Sequence, residues 1–133
     1  MNSAREKLIF ALDVDNLEEA RGWVDRLQGQ VGVFKIGKQL FTRCGPEVVR
    51  LVEDRGGDVF LDLKYHDIPN TVAMAGLEAL KLGVKMFNVH ALGGFEMMAK
   101  LVAAIDKVCP RGNPDRPILL AVTIDKLCKG YRQ

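Results

Sequence analysis

The stretch FLDLKYHDIPNT, Phe60 to Thr71, places Asp62, Lys64, His66 and Asp67 directly after an apolar run. Residues i and i+2 of a strand share a face, so Phe60, Asp62 and Lys64 line up on one side. The apolar residue comes first and the charged ones follow, toward the C-terminal end. The same order recurs along the chain: Ile9, Ala11 and Asp13 share a face, as do Val33, Lys35 and Gly37, and also Asn88 and His90. Four candidate strands thus send polar side chains to one rim. That rim is where a (β/α)₈ barrel gathers its reactive groups.

The five strand candidates are LIFALDV (8–14), VGVFKIG (31–37), DVFLDLK (58–64), KMFNVHA (85–91) and PILLAVTI (117–124). Their starts recur at roughly 25 to 30 residues, the size of a βα unit. The runs are continuously apolar rather than alternating, as expected of a parallel sheet covered by helices. Between them lie helical patterns. Asn16 with Glu19 predicts a capped helix carrying Leu17, Ala20, Val24 and Leu27 at helical spacing. Gly45-Pro46 opens a second, with Val48, Val49, Leu51 and Val52 on its apolar side. Asn70 is expected to cap a third that runs to Gly83. Gly93-Gly94 opens a fourth, with Phe95, Met98, Val102 and Ile105 as its stripe and Pro110 after its end. DVDNLEE follows the first strand where a dinucleotide fold would carry G-x-G-x-x-G, which disfavours a doubly wound sheet. The fold class expected is therefore α/β, a parallel (β/α) barrel of TIM type. A complete barrel typically takes about 250 residues. The 133 residues are read as a single partial barrel domain, an incomplete barrel of about four βα units plus a fifth strand.

Composition narrows the function classes. A formal charge of +2 gives no argument for nucleic acid or an anionic membrane, and no apolar stretch approaches bilayer length. The N-terminus, MNSAREKLIF, lacks the pattern of a signal peptide. Cys44, Cys109 and Cys128 are widely spaced and form no metal-ligand pattern, as expected of free thiols in a reducing cytoplasm.

Lys35, Asp62, Lys64 and Asp67 alternate in sign. Carboxylates beside lysines hold them protonated at neutral pH. Such a group can deliver a proton to a developing carbanion through a lysine and set negative charge beside a carboxylate to be expelled as carbon dioxide. Those are the requirements of a metal-free decarboxylase. The same residues also suit a structural ion-pair network, with Asp67 merely turning the chain before Pro69; Asp13 and Lys35 on separate strands aimed the same way favour the site.

FALDVDNLEEA, FKIGKQLFTRCGPEVV, FLDLKYHDIPNTV and LGVKMFNVHALGG resemble successive blocks of the orotidine 5′-phosphate decarboxylase family, from about Ile9 to Thr123. The D-x-K-x-x-D core is shared across the wider suprafamily, whereas the I-P-N-T continuation is specific. The resemblance implies decarboxylation of orotidine 5′-monophosphate to UMP, with no cofactor and no metal. It implies Lys64 as proton donor, Asp62 as the carboxylate crowding the substrate carboxylate, Lys35 on the ribose and ordering the charges, and Asp13 on the nucleotide. It also implies a homodimer in which Asp67, Ile68 and Thr71 reach the neighbouring site, with His66 and His90 as structural supports. The family's strand-five V-T-x-L-T-S is replaced by AVTI and then Asp125, Lys126 and Leu127, so residues 125–133 are expected to be a non-family-like tail. The phosphate-gripping loops that follow in the family are expected to be missing, which leaves this chain without the full site. Two other readings stay open: a magnesium-dependent sugar-phosphate decarboxylase of the same suprafamily, and a non-catalytic half-barrel assembly fragment.

Overall fold

The computed structural model describes residues 3–123. A 3-10 turn, Ala4–Lys7, leads into β1 (Ile9–Ala11), followed by α1 (Leu17–Leu27), β2 (Val33–Gly37), α2 (Lys38–Cys44) and α3 (Pro46–Asp54). The chain continues through β3 (Asp58–Tyr65), α4 (Pro69–Lys81), β4 (Met86–His90), a 3-10 turn (Ala91–Gly93), α5 (Phe95–Val108) and β5 (Ile118–Val122). The residues expected to form a tail, 125–133, lie outside the described residues, as does Cys128.

All strand pairs are parallel and the sheet order is β1-β2-β3-β4-β5. Each strand adds beside its predecessor, with no reversal of the kind that defines a doubly wound sheet. This is the order of a TIM-type barrel, here incomplete, with β1 and β5 each pairing on one side only among the described residues. Alternation along the strands sorts two layers. Phe34, Ile36, Val59, Leu61, Phe87 and Val89 are buried in one core with Val24, Val48, Val52, Val72, Leu101 and Ile105 from the helices. Lys35, Asp62 and Asn88 occupy the opposite phase. Gly76 lets α4 and α5 approach closely: a Cβ there would overlap Leu101 Cδ1 and come 3.3 Å from Phe87 Cζ.

Local signals held in part. The Asn16 side chain accepts from the Glu19 N–H, capping α1. The reciprocal arm is displaced by one residue, since Glu19 Oε2 accepts from the Asp15 N–H. Two expectations need correction, and one helix is additional. Asn70 does not cap α4: Ile68 occupies the cap position and Pro69 starts the helix, where its missing N–H is no loss. The buried stripe of α5 is Met97, Leu101 and Ile105, and Phe95 is 82% exposed. Helix α2 was not expected. It buries only Leu40 and lacks a side-chain cap, so seven residues carry almost no periodic signal.

No helix among the described residues is long and apolar enough to cross a membrane.

Candidate active site

Lys35 is the central residue of β2, and Asp62 and Lys64 lie in the second half of β3. Asp13 follows β1, where the Leu12 N–H still donates to the Lys35 carbonyl at 2.9 Å. Lys35 and Asp62 therefore start deeper than the strand ends at which they were expected. A lysine stem of four carbons spans the difference.

The four side chains form an alternating line. Asp13 Oδ1 lies 3.9 Å from Lys35 Nζ, which lies 3.6 Å from Asp62 Oδ2. Lys64 Nζ donates to Asp62 Oδ1 at 2.8 Å. Exposure falls sharply along the line, from 74% for the Asp13 side chain to 11% for that of Asp62. Burial pushes the Asp62 carboxyl up, but hydrogen bonds from Lys64 and Asn88 and the charges of Lys64 and Lys35 outweigh it. The carboxyl is held below its ordinary value and is ionised at neutral pH.

Asp62 and Lys64 meet by a different route from simple alternation. Leu61 pairs with Phe87 and Tyr65 with Val89, so Asp62, Leu63 and Lys64 all face the single residue Asn88. This bulge re-aims the strand, and Lys64 adopts φ 50°, the one positive value among described non-glycine residues. A lysine gains nothing locally from the left-handed region, and such outliers concentrate at functional sites. Asn88 fills the gap opposite the bulge. Its Nδ2 donates to Asp62 Oδ1 at 2.7 Å, and its Oδ1 accepts from the Lys64 N–H at 2.8 Å. Sequence reading placed Asn88 on the correct face without assigning it a role; the available signal was an amide between the apolar residues Phe87 and Val89.

A cleft of about 250 Å³ opens over this group, lined by Asp13, Lys35, Gly37, Lys38, Asp62 and Lys64 among others. Asp67, Ile68 and Thr71 are not in its lining. They sit exposed on the β3–α4 connection and the first turn of α4, where Asp67 Oδ1 accepts from the Ile68 N–H at 2.6 Å. His66 and His90 form a tilted ring pair at 5.6 Å beside the bulge. A larger cleft of about 700 Å³ lies at the opposite end of the sheet, near Asp58, Lys85 and Ile118 at the strand starts. In this architecture reactive groups gather at the C-terminal ends of the strands, where the smaller, charged cleft lies. Among the described residues no three His, Cys, Asp or Glu side chains are grouped to hold a metal ion.

Comparison with known proteins places the chain in a family. The sequence model of the Orotidine 5'-phosphate decarboxylase / HUMPS family matches residues 6–124. The orotidine 5'-phosphate decarboxylase of Syntrophotalea carbinolica is 64% identical over 121 residues, covering 91% of this chain and 50% of the relative. The solved orotidine 5'-phosphate decarboxylase of Lactobacillus acidophilus superposes with a TM-score of 0.77 at 38% identity, over 90% of this chain and 53% of that one. An uncharacterized conserved protein from Geobacillus kaustophilus superposes at 0.82 with 35% identity, over 92% and 57%. The chain spans about half the length of the curated relatives it matches. With the family match covering nearly the whole chain and the charged line of β1 to β3 in place, this chain belongs to the orotidine 5'-phosphate decarboxylase / HUMPS family.

Proposed function

We propose that this chain supplies the charged half of a site that decarboxylates orotidine 5′-monophosphate to UMP. The observation that carries the reading is the unbroken alternation Asp13–Lys35–Asp62–Lys64, ending in an ammonium 2.8 Å from a buried carboxylate. In this reaction the bond between C6 and the substrate carboxylate breaks, and its electron pair stays on C6. The Lys64 ammonium gives C6 a proton, carbon dioxide leaves, and Lys64 recovers its proton from solvent. Asp62 has two roles. It keeps Lys64 charged, and its own charge opposes a bound carboxylate more than the neutral carbon dioxide that departs, which favours the transition state over the ground state. Lys35 bridges the two aspartates and orders them, leaving Asp13 at the cleft edge for the nucleotide.

Neither a cofactor nor a metal has a role in this scheme, because Lys35 and Lys64 already neutralise the carboxylates. Asp67, Ile68 and Thr71 complete the neighbouring site in a homodimer. Their exposure supports this, as does the exposed apolar surface of Ile68 before α4, Leu92 in the 3-10 turn after β4 and Phe95 at the start of α5, all at the same end. A cytoplasmic setting fits the free thiols Cys44 and Cys109.

The test follows loss of pyrimidine absorbance when the purified chain meets orotidine 5′-monophosphate, alone and with the C-terminal half of the Syntrophotalea carbinolica relative added. Turnover without added metal, abolished by Lys64→Ala, is expected. Turnover that survives Lys64→Ala, or no turnover with both halves present and folded, would overturn the reading.

A further inference from the structure

We propose that Asn88 is the positioning residue of the charged site: one amide, anchored in β4, holds the Lys64 backbone with its oxygen and the Asp62 carboxylate with its nitrogen. The ammonium and the carboxylate are thereby presented to the cleft at a set separation.

The geometry leaves little freedom. Asn88 is 3% exposed and lies between Phe87 and Val89, both buried. An amide buried this deeply is costly unless both its polar ends are hydrogen-bonded, and here both are. Those ends are used in one orientation only. Turning the amide over would set its oxygen against the Asp62 carboxylate and its N–H₂ against the Lys64 N–H, two repulsive contacts in place of two hydrogen bonds. The bulge explains why a side chain is needed. Asp62, Leu63 and Lys64 face one residue of β4, and Asn88 Oδ1 takes the Lys64 N–H across that gap at 2.8 Å. The same amide donates to Asp62 Oδ1, the oxygen that also receives Lys64 Nζ. Oδ2 is left toward Lys35. Asn88 therefore sets both the lysine's backbone turn and the rotation of the carboxylate.

Among the described residues, the groups facing Asp62 are Lys35 on β2, Lys64 on β3 and Asn88 on β4, with Asp13 beyond Lys35. Asn88→Asp separates the two arms. It keeps an acceptor for the Lys64 N–H but replaces the donor to Asp62 with a second carboxylate. Asn88→Ala removes both arms. Two measurements on the 133-residue chain need no turnover: the titration midpoint of the Asp62 carboxyl by carbon NMR, and hydrogen exchange of the Lys64 amide. In Asn88→Asp the Asp62 midpoint is expected to rise by about one unit or more, with Lys64 exchange near wild type. In Asn88→Ala the midpoint rises less, and Lys64 exchange quickens by about tenfold or more.

Should Asn88→Ala fail to fold, the aspartate variant, nearly identical in shape, carries the test. A third measurement rests on the decarboxylase reading: Asn88→Asp lowers kcat by about 10-fold or more with KM within about twofold, because an interaction realised in the transition state is lost. Unchanged Asp62 midpoints in both variants, with only a lower Tm, would mean that Asn88 merely packs and would overturn the proposal. Shifted midpoints without decarboxylation by any form leave the positioning role standing and remove the decarboxylase reading.

Discussion

Lys64 and Asp62, two positions apart on β3, meet at 2.8 Å through Nζ and Oδ1 although Lys64 has left strand geometry at φ 50°. A regular strand would put both side chains on one face but stretch them along it. The bulge brings the lysine back over the carboxylate. Removing the amine while leaving the bulge isolates its chemistry. On the proposed reaction, with the C-terminal half of the relative supplied, Lys64→Ala is expected to lower turnover of orotidine 5′-monophosphate by about 10²- to 10⁴-fold, the range for a positioned general acid. Steady-state kinetics by pyrimidine absorbance would show it, and circular dichroism would confirm an unchanged fold.

The left-handed backbone at position 64 makes a separate prediction about stability. Glycine enters that region freely, whereas a β-branched side chain resists it. Lys64→Gly is expected to be more stable than Lys64→Val by about 1–3 kcal/mol. Urea unfolding of the two variants measures the difference, and equal midpoints would show that the backbone at 64 relaxes on substitution.

The ionised Asp62 stabilises the fold, since its folded-state carboxyl lies below the ordinary value. That contribution is fully present above the unfolded value of about 3.9 and is lost as pH falls through the lower folded value. Asp62→Asn removes this dependence. Wild-type chain should therefore lose more stability than Asp62→Asn between neutral and strongly acidic pH. Denaturant midpoints measured across that range test the sign.

Gly76 lets α4 pack tightly against Leu101 of α5. Adding a methyl group would push against Leu101 Cδ1 and the Phe87 ring. Gly76→Ala is expected to destabilise by about 1–3 kcal/mol despite alanine's better helix propensity. Pairing it with Leu101→Ala should recover part of that loss. A double-mutant cycle with additive effects would contradict the contact.

The strand positions, the sequential parallel order and the candidate charges were legible because each depends on short-range patterns. Apolar runs at βα spacing fix where strands fall, and period-two alternation put Lys35, Asp62 and Asn88 on one face. Helices α1 and α3 were equally readable, since Ala20, Val24, Val48, Val49, Leu51 and Val52 recur at helical spacing and are all buried. Helix α5 shows the limit of that signal. Two stripes, Phe95–Met98–Val102–Ile105 and Met97–Leu101–Ile105, were both apolar, and the choice fell to the neighbour α4, which Gly76 brings against Leu101. Phe95 was left outside, 82% exposed.

By itself the sequence determined the family, the strand scaffold and which residue types line the mouth. Tertiary structure decided how they meet. The bulge in β3, the positive φ of Lys64 and the two-armed grip of Asn88 all depend on β4 lying beside β3. Asn88 is 26 residues from Asp62 and 24 from Lys64. No local spacing rule reaches that far, because the contact exists only once parallel pairing sets Asn88 opposite three residues of its neighbour. Charge type is written along the chain; the separation between charges is set across the sheet.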